Sequence, residues 1–88
     1  MILGFYCYLL ECSDGTFYTG WTTDPVRRLE THNAGRGARY TKIRRPVQMV
    51  YIEELSSRSA AMAREAAIKN MPRTGKQKLI SKQENLAQ

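Results

Sequence analysis

The stretch from Tyr6 to Gly20, YCYLLECSDGTFYTG, constrains the fold of this chain more than any other. Two runs of aromatic, β-branched and apolar residues flank Ser13-Asp14-Gly15, and such runs joined by turn-forming residues read as a β-hairpin. A three-residue loop with glycine in the left-handed position is a favoured connection, and Gly15 stands at its third position. With that loop Cys12 pairs with Thr16, Leu10 faces Tyr18 and Tyr8 faces Gly20. Side chains alternate along a strand, so Tyr6, Tyr8, Leu10, Tyr18 and Gly20 then share one face. A two-residue loop, Asp14-Gly15, shifts the register by one and sends Tyr8 and Tyr18 to opposite faces; the three-residue loop is the preferred reading. Two phenols flanking a position without a side chain offer a polar-edged pocket in which a small anion approaches the backbone. Read more plainly, the tyrosines are ordinary strand residues and Gly20 marks a bulge.

After the second strand, Asp24-Pro25 signals a helix start, since Asp caps well and Pro suits the first helical position. The helix runs from about Pro25 to Asn33 with Gly35 as a stop, and Val26 and Leu29 can face the core. Arg28 and His32 are four apart, neighbours at the edge of that apolar stripe and near the sheet. The plainer alternative is a surface arginine with a loosely packed histidine. The segment GRGARYTKIRRP, Gly35 to Pro46, is too rich in Gly and Arg for a regular element. Flexible backbone, guanidinium groups and Tyr40 suit a loop that follows a phosphate backbone, and would equally suit a solubilising loop.

Val47 to Leu55 reads as a third strand, and Ser56 or Ser57 caps an alanine-rich helix that Pro72 ends near Met71. Glu65 falls four residues after Ala61 and three before Ile68, which places a carboxylate on the small, apolar face. A carboxylate there needs a partner, either a basic side chain such as Arg28 or a metal ion. Thr74 is read as the cap of a last helix packed through Leu79, Ile80 and Leu86, with fraying beyond Leu86.

Eighty-eight residues form one domain, core about 5–80, long enough to bury roughly 60–65% of the unfolded surface. Fourteen Lys and Arg against eight Asp and Glu favour an anionic partner, most often nucleic acid for so small a domain. Half of the basic residues, Arg27, Arg28, Arg36, Arg39, Lys42, Arg44 and Arg45, lie between positions 27 and 45, with Glu30 opposing them. Cys7 and Cys12 sit at opposite parity in the first strand, so they cannot bridge one another and read as free thiols in a reducing compartment. No Cys/His spacing suggests zinc. Met1 to Phe5 lacks a basic leader, and no apolar run approaches membrane-spanning length. A cytoplasmic monomer is therefore expected.

Tyr6-Cys7-Tyr8, Tyr18-Thr19-Gly20, Arg28 with His32 on one helix and Glu65 on a later one, in this order and spacing, resemble the GIY-YIG nuclease domain. The chain looks most like the small stand-alone bacterial members, over about Tyr6 to Ile80. The resemblance implies an α/β (α+β) fold with a three-stranded, mainly antiparallel sheet flanked by helices. It also implies metal-dependent phosphodiester hydrolysis, linked to repair or recombination. Carried over by motif, Tyr8 belongs to the first tripeptide, and Tyr18 and Gly20 to the second, with Tyr6 a structural part of the site. Arg28 corresponds to the catalytic arginine, His32 to a frequent histidine one turn later, and Glu65 to the metal-binding glutamate. Tyr6, Cys7 and Thr19 depart from the motif letters. The late asparagine of many members has no counterpart: Asn70 comes too soon, and Gln77 and Gln83 follow.

The residues suit these roles. Arg28 can stabilise charge on non-bridging oxygens, and Glu65 can hold one Mg²⁺ (or Mn²⁺) that keeps most of its waters. Tyr8 is the favoured base, provided the arginine and metal lower its pKa from the ordinary value of about 10. His32 titrates in a better range but lies on the helix and not on the hairpin. Arg27, Arg36, Arg39, Lys42, Arg44 and Arg45 are the candidate nucleic-acid contacts. DNA is the expected partner, and nothing in the residues separates it from RNA. The competing reading is a nucleic-acid-binding module that keeps the fold and basic surface with little or no catalysis. So small a chain leaves little surface for base-edge contacts, so low sequence specificity is expected.

Overall fold

The computed structural model describes residues 4–86. The hairpin joins β1 (Phe5–Glu11) to β2 (Phe17–Thr22). Its loop is the three-residue one: the Cys12 N–H donates to the Thr16 carbonyl at 2.8 Å, and Gly15 takes the left-handed φ of 83°. Tyr8 therefore pairs with Gly20 and Leu10 with Tyr18. The third strand, β3 (Gln48–Leu55), lies antiparallel on the other side of β1, giving the order β2-β1-β3. β1 is thus central, with hydrogen-bonding neighbours on both edges. This explains why its four consecutive residues Cys7, Tyr8, Leu9 and Leu10 are all buried.

Alternation along β1 divides the core into two layers. Cys7 and Leu9 pack with Tyr51 and Ile68 on one face, and Tyr8, Leu10, Cys12 and Val47 cluster on the other. The two thiols are free and on opposite faces. Burial, then the carboxylates Glu53 and Glu65, push Cys7 up to about 11, so it stays protonated. Complete burial of Leu9, Leu10 and Ile68 stabilises the fold by about 1.5–3 kcal/mol each relative to exposure.

The first face is covered by α3 (Arg58–Lys69) and α4 (Arg73–Leu86). Ser57 caps α3 through the Ala60 N–H, and fully buried Ala61 lets the helix lie close on the strands. α4 begins one residue before Thr74, because the Pro72 carbonyl already accepts the Gly75 and Lys76 N–H groups. Thr74 is therefore an exposed first-turn residue and not the cap. The expectations for the Leu86 side chain and for the tail beyond it lie outside the described residues.

The second face is covered by α1 (Pro25–Asn33), capped by Asp24, and by α2 (Arg39–Lys42). Two expectations fail here. Val26 is 71% exposed, because α1 turns Leu29 and His32 inward and leaves Val26 on the outer side. The basic segment also contains one helical turn. Its glycines end at Gly37, and from Ala38 to Arg45 nothing breaks a helix, so Thr41 can bond back to Ala38 and close the turn.

Two carboxamides then tie the helices to β3. Asn33 bonds both the N–H and the carbonyl of Val47, and Gln83 does the same to Ile52. The outer edge of β3 is thereby met by the side chain of α4 at Ile52.

Candidate active site

Tyr8 lies at the meeting point of the candidate residues. The absence of a side chain at Gly20 is what admits its phenol, since a Cβ there would stand 2.5 Å from the Tyr8 hydroxyl. The gap expected to receive a small anion is thus filled by Tyr8 itself. With the ring 1% exposed, its hydroxyl depends on protein partners. It lies 2.9 Å from His32 Nε2 and accepts from Arg28 Nε at 3.4 Å. The helical spacing of Arg28 and His32 delivers both side chains from α1 to the same phenol.

His32 is fully buried and bonded at both ring nitrogens, with Thr41 Oγ1 2.8 Å from Nδ1. It is no loosely packed surface histidine, and it reaches the hairpin although its backbone lies on the helix. Burial, with Arg28 repelling a second positive charge, lowers its pKa to about 4, so the ring is neutral near pH 7. For Tyr8 the balance runs opposite to expectation. Burial raises its pKa, and the Arg28 hydrogen bond and charge offset that only in part; Tyr18 and Glu65 push it further up.

Tyr18 is half-buried on the same face, edge-on to the His32 ring at 5.3 Å between centroids. Tyr6 lies one pleat away, its hydroxyl close against Gly4, and makes no hydrogen bond to Tyr8, Arg28 or His32. Glu65 projects from α3. Its neighbour Arg64 turns instead to β3, where Nε holds both Glu53 oxygens at 3.1 Å. Glu65 does not pair with Arg28: among the described residues its ion-pair partner is Lys69, one turn on, at 4.0 Å. Its carboxylate acts through space on Tyr8 and on Cys7. Among the described residues no three His, Cys, Asp or Glu side chains cluster for a metal. A lone, partly exposed carboxylate with only a distant cation fits a hard ion that keeps its own waters, Mg²⁺ or Mn²⁺, and not a closed zinc site.

The basic segment divides into two groups. Arg44 donates to Asp14 Oδ2 at 3.0 Å and to the Tyr40 carbonyl at 2.9 Å, and its guanidinium stacks 3.8 Å over the Tyr40 ring. Tyr40 stacks in turn on Tyr18, so the segment is stapled to the hairpin. Arg45 bonds the carbonyls of Lys42 and Asn33, at the ends of α2 and α1. Both arginines are thus engaged in holding the loop. Arg27, Arg36, Arg39 and Lys42 are exposed, and their side chains make no hydrogen bond or ion pair among the described residues. Gln83 is occupied with Ile52 and Gln77 is exposed on α4; neither side chain hydrogen-bonds to Tyr8. Thr41 and Gly37, which pack against His32, had no sequence signal, because both meet it only through the fold of the loop.

A family model described as the GIY-YIG catalytic domain matches residues 4–79. A UPF0213 protein of Streptococcus agalactiae is 51% identical over 80 residues, which cover 91% of each chain. Another, of Syntrophus aciditrophicus, is 54% identical over 76 residues, covering 85% of this chain and 87% of that one. The solution structure of a UPF0213 protein from Bacillus halodurans superposes with a TM-score of 0.57 at 42% identity, over 90% of this chain and 84% of that one. A solution structure from E. faecalis gives 0.61 at 42% identity, over 92% and 86%.

Proposed function

This chain belongs to the GIY-YIG family, and we propose that it hydrolyses phosphodiester bonds in nucleic acid, DNA foremost, with one Mg²⁺ or Mn²⁺ ion and little sequence preference. The observation that carries the reading is the convergence on Tyr8: a guanidinium, a neutral imidazole and the field of a carboxylate meet at one buried phenol. Structural burial alone needs none of these charges.

In this reading Arg28 uses Nε to hold Tyr8, and its two Nη groups meet the non-bridging oxygens of the phosphate. Glu65 would hold the ion, which when bound polarises the phosphate and neutralises the leaving oxygen. The Tyr8 oxygen has one proton and two lone pairs. One lone pair takes the Arg28 N–H, and the other, closed to solvent in the free protein, takes a proton from the attacking water once substrate binding brings that water to it, as Tyr8 passes its own to His32. A bound phosphate offsets the Arg28 charge that helps to keep His32 neutral, so the pair accepts a proton more readily with substrate in place. Tyr6 supports the strand beside the site. Arg27, Arg36, Arg39 and Lys42, each exposed, contact the backbone of the nucleic acid. Two free buried thiols support a reducing, cytoplasmic setting, and no helix among the described residues is long and apolar enough to cross a membrane. We take the chain as one domain that acts as a monomer.

One observation favours the binding-module reading: Tyr8 is almost fully buried with a raised pKa, as a structural phenol would be. Supercoiled plasmid and branched DNA incubated with the protein and Mg²⁺ or Mn²⁺ separate the two. Metal-dependent nicking, lost in Arg28→Ala, is the outcome expected for the nuclease. Salt-sensitive binding without nicking under any condition would leave only the binding module.

A further inference from the structure

We infer that Thr41 is a positioning residue, which fixes His32 with its proton on Nδ1 and so leaves Nε2 able only to accept from Tyr8. The use made of that pair rests on the nuclease reading, but the proton arrangement does not.

Distances alone do not orient this network, because Thr41 and Tyr8 are both hydroxyls that can donate or accept. The number of protons decides it. Thr41 Oγ1 lies 2.8 Å from His32 Nδ1 and 2.9 Å from the Ala38 carbonyl, which can only accept. If Thr41 gives its single proton to Ala38, it must accept from Nδ1–H. Nε2 is then bare, and Tyr8 donates to it at 2.9 Å while accepting from Arg28 Nε. Every proton in the chain Tyr8, His32, Thr41, Ala38 has an acceptor.

In the opposite arrangement Thr41 donates to Nδ1, and Nε2–H donates to the Tyr8 oxygen. That oxygen then receives two N–H groups, from His32 and Arg28, and the Tyr8 proton has no other acceptor among the described residues. Tyr8 is 1% exposed, so in the free protein solvent does not take that proton either. Gly37 closes the remaining side, since a Cβ there would collide with Nδ1 and no further partner fits. Thr41 is itself fully buried, which holds its hydroxyl to these two neighbours.

His32 is the only histidine in the sequence, so its ring nitrogens give the only imidazole signals in a two-bond ¹H–¹⁵N spectrum of the untagged, ¹⁵N-labelled chain near pH 7. The expected pattern is a protonated Nδ1 and a bare Nε2. The reverse pattern would overturn the inference whatever the activity. In Thr41→Val the acceptor is gone, so the Nδ1–H pattern should give way to a mixture. Nicking should then fall roughly 10–100-fold, the scale seen when the partner that orients a metal-ligating histidine is removed. Thr41→Ser, which keeps the hydroxyl, should restore both. An unchanged spectrum in Thr41→Val, or failure of Thr41→Ser to restore the wild-type pattern, overturns the assignment. Should Thr41→Val not fold, the wild-type and Thr41→Ser spectra still decide the question. A wild type that shows the Nδ1–H pattern yet never nicks would count against the nuclease reading and leave this arrangement standing.

Discussion

At the scale of single residues, Tyr8 and His32 depend on one another. Without the Tyr8 hydroxyl, His32 Nε2 is a buried acceptor with no partner, which costs about 1–3 kcal/mol. Tyr8→Phe should therefore abolish nicking, lower the melting temperature by a few degrees and leave the fold intact; retained nicking in that variant would remove Tyr8 from the chemistry. His32 also ties stability to pH. Its folded pKa, about 4, lies below the ordinary value of about 6.5, so the unfolded chain binds the proton first as pH falls. Its contribution is fully present above about pH 6.5 and is lost on descending toward 4, amounting to roughly 2 kcal/mol between pH 7.5 and 5. Urea unfolding should show this loss in the wild type and a smaller one in His32→Gln, where only carboxylates titrate. The helical spacing of Arg28 and His32 was legible in the sequence. The depth at which they lie was not, because it follows from Gly20 and Gly37 leaving room for Tyr8 and His32. The raised pKa of Tyr8 was equally hidden, since the balance of burial against Arg28 is set by packing.

Among the elements, those with local signals were legible. The hairpin register followed from the position of Gly15 in its loop, α1 from Asp24-Pro25, and α3 from the Ser56-Ser57 pair, of which Ser57 is the cap. Elements held by distant partners were not. α2 closes through Thr41 and is stapled to the hairpin by Arg44, while Gln83 reaches Ile52 across 31 residues. The staple alters which arginines should contact DNA. The side chains of Arg44 and Arg45 are held by hydrogen bonds within the fold, whereas those of Arg36, Arg39 and Lys42 make none among the described residues. Neutralising any of these three should reduce the slope of log affinity against log salt by up to about 0.9 per lost phosphate contact. Arg44→Gln should instead loosen the loop and lower the melting temperature. A slope that changes only with Arg44 and Arg45 would reverse this division.

For the whole molecule, the net charge of +6 favours an anionic partner, and α1 and α3, which carry Arg28 and Glu65, pack on opposite faces of the sheet, so the nuclease reading needs both side chains to reach one phosphate past the sheet. The family was legible because its motif residues stand at intact spacing in the chain, although three motif letters differ. The partner of Glu65 was not, since the choice between Arg28 and a metal is made by tertiary geometry. Among the described residues Glu65 has only a marginal ion-pair contact, to Lys69 at 4.0 Å. Glu65→Gln should accordingly cost little stability, because a partly exposed i,i+4 pair at this distance is worth no more than about 0.3–0.5 kcal/mol. The most direct measurement is Mg²⁺-dependent nicking of supercoiled plasmid by wild type and Glu65→Gln, with the melting temperature taken on the same samples. The nuclease account predicts nicking by the wild type, none by Glu65→Gln, unchanged DNA binding and nearly equal melting temperatures. Absence of metal-dependent nicking in the wild type, with Glu65→Gln melting many degrees lower, would contradict it.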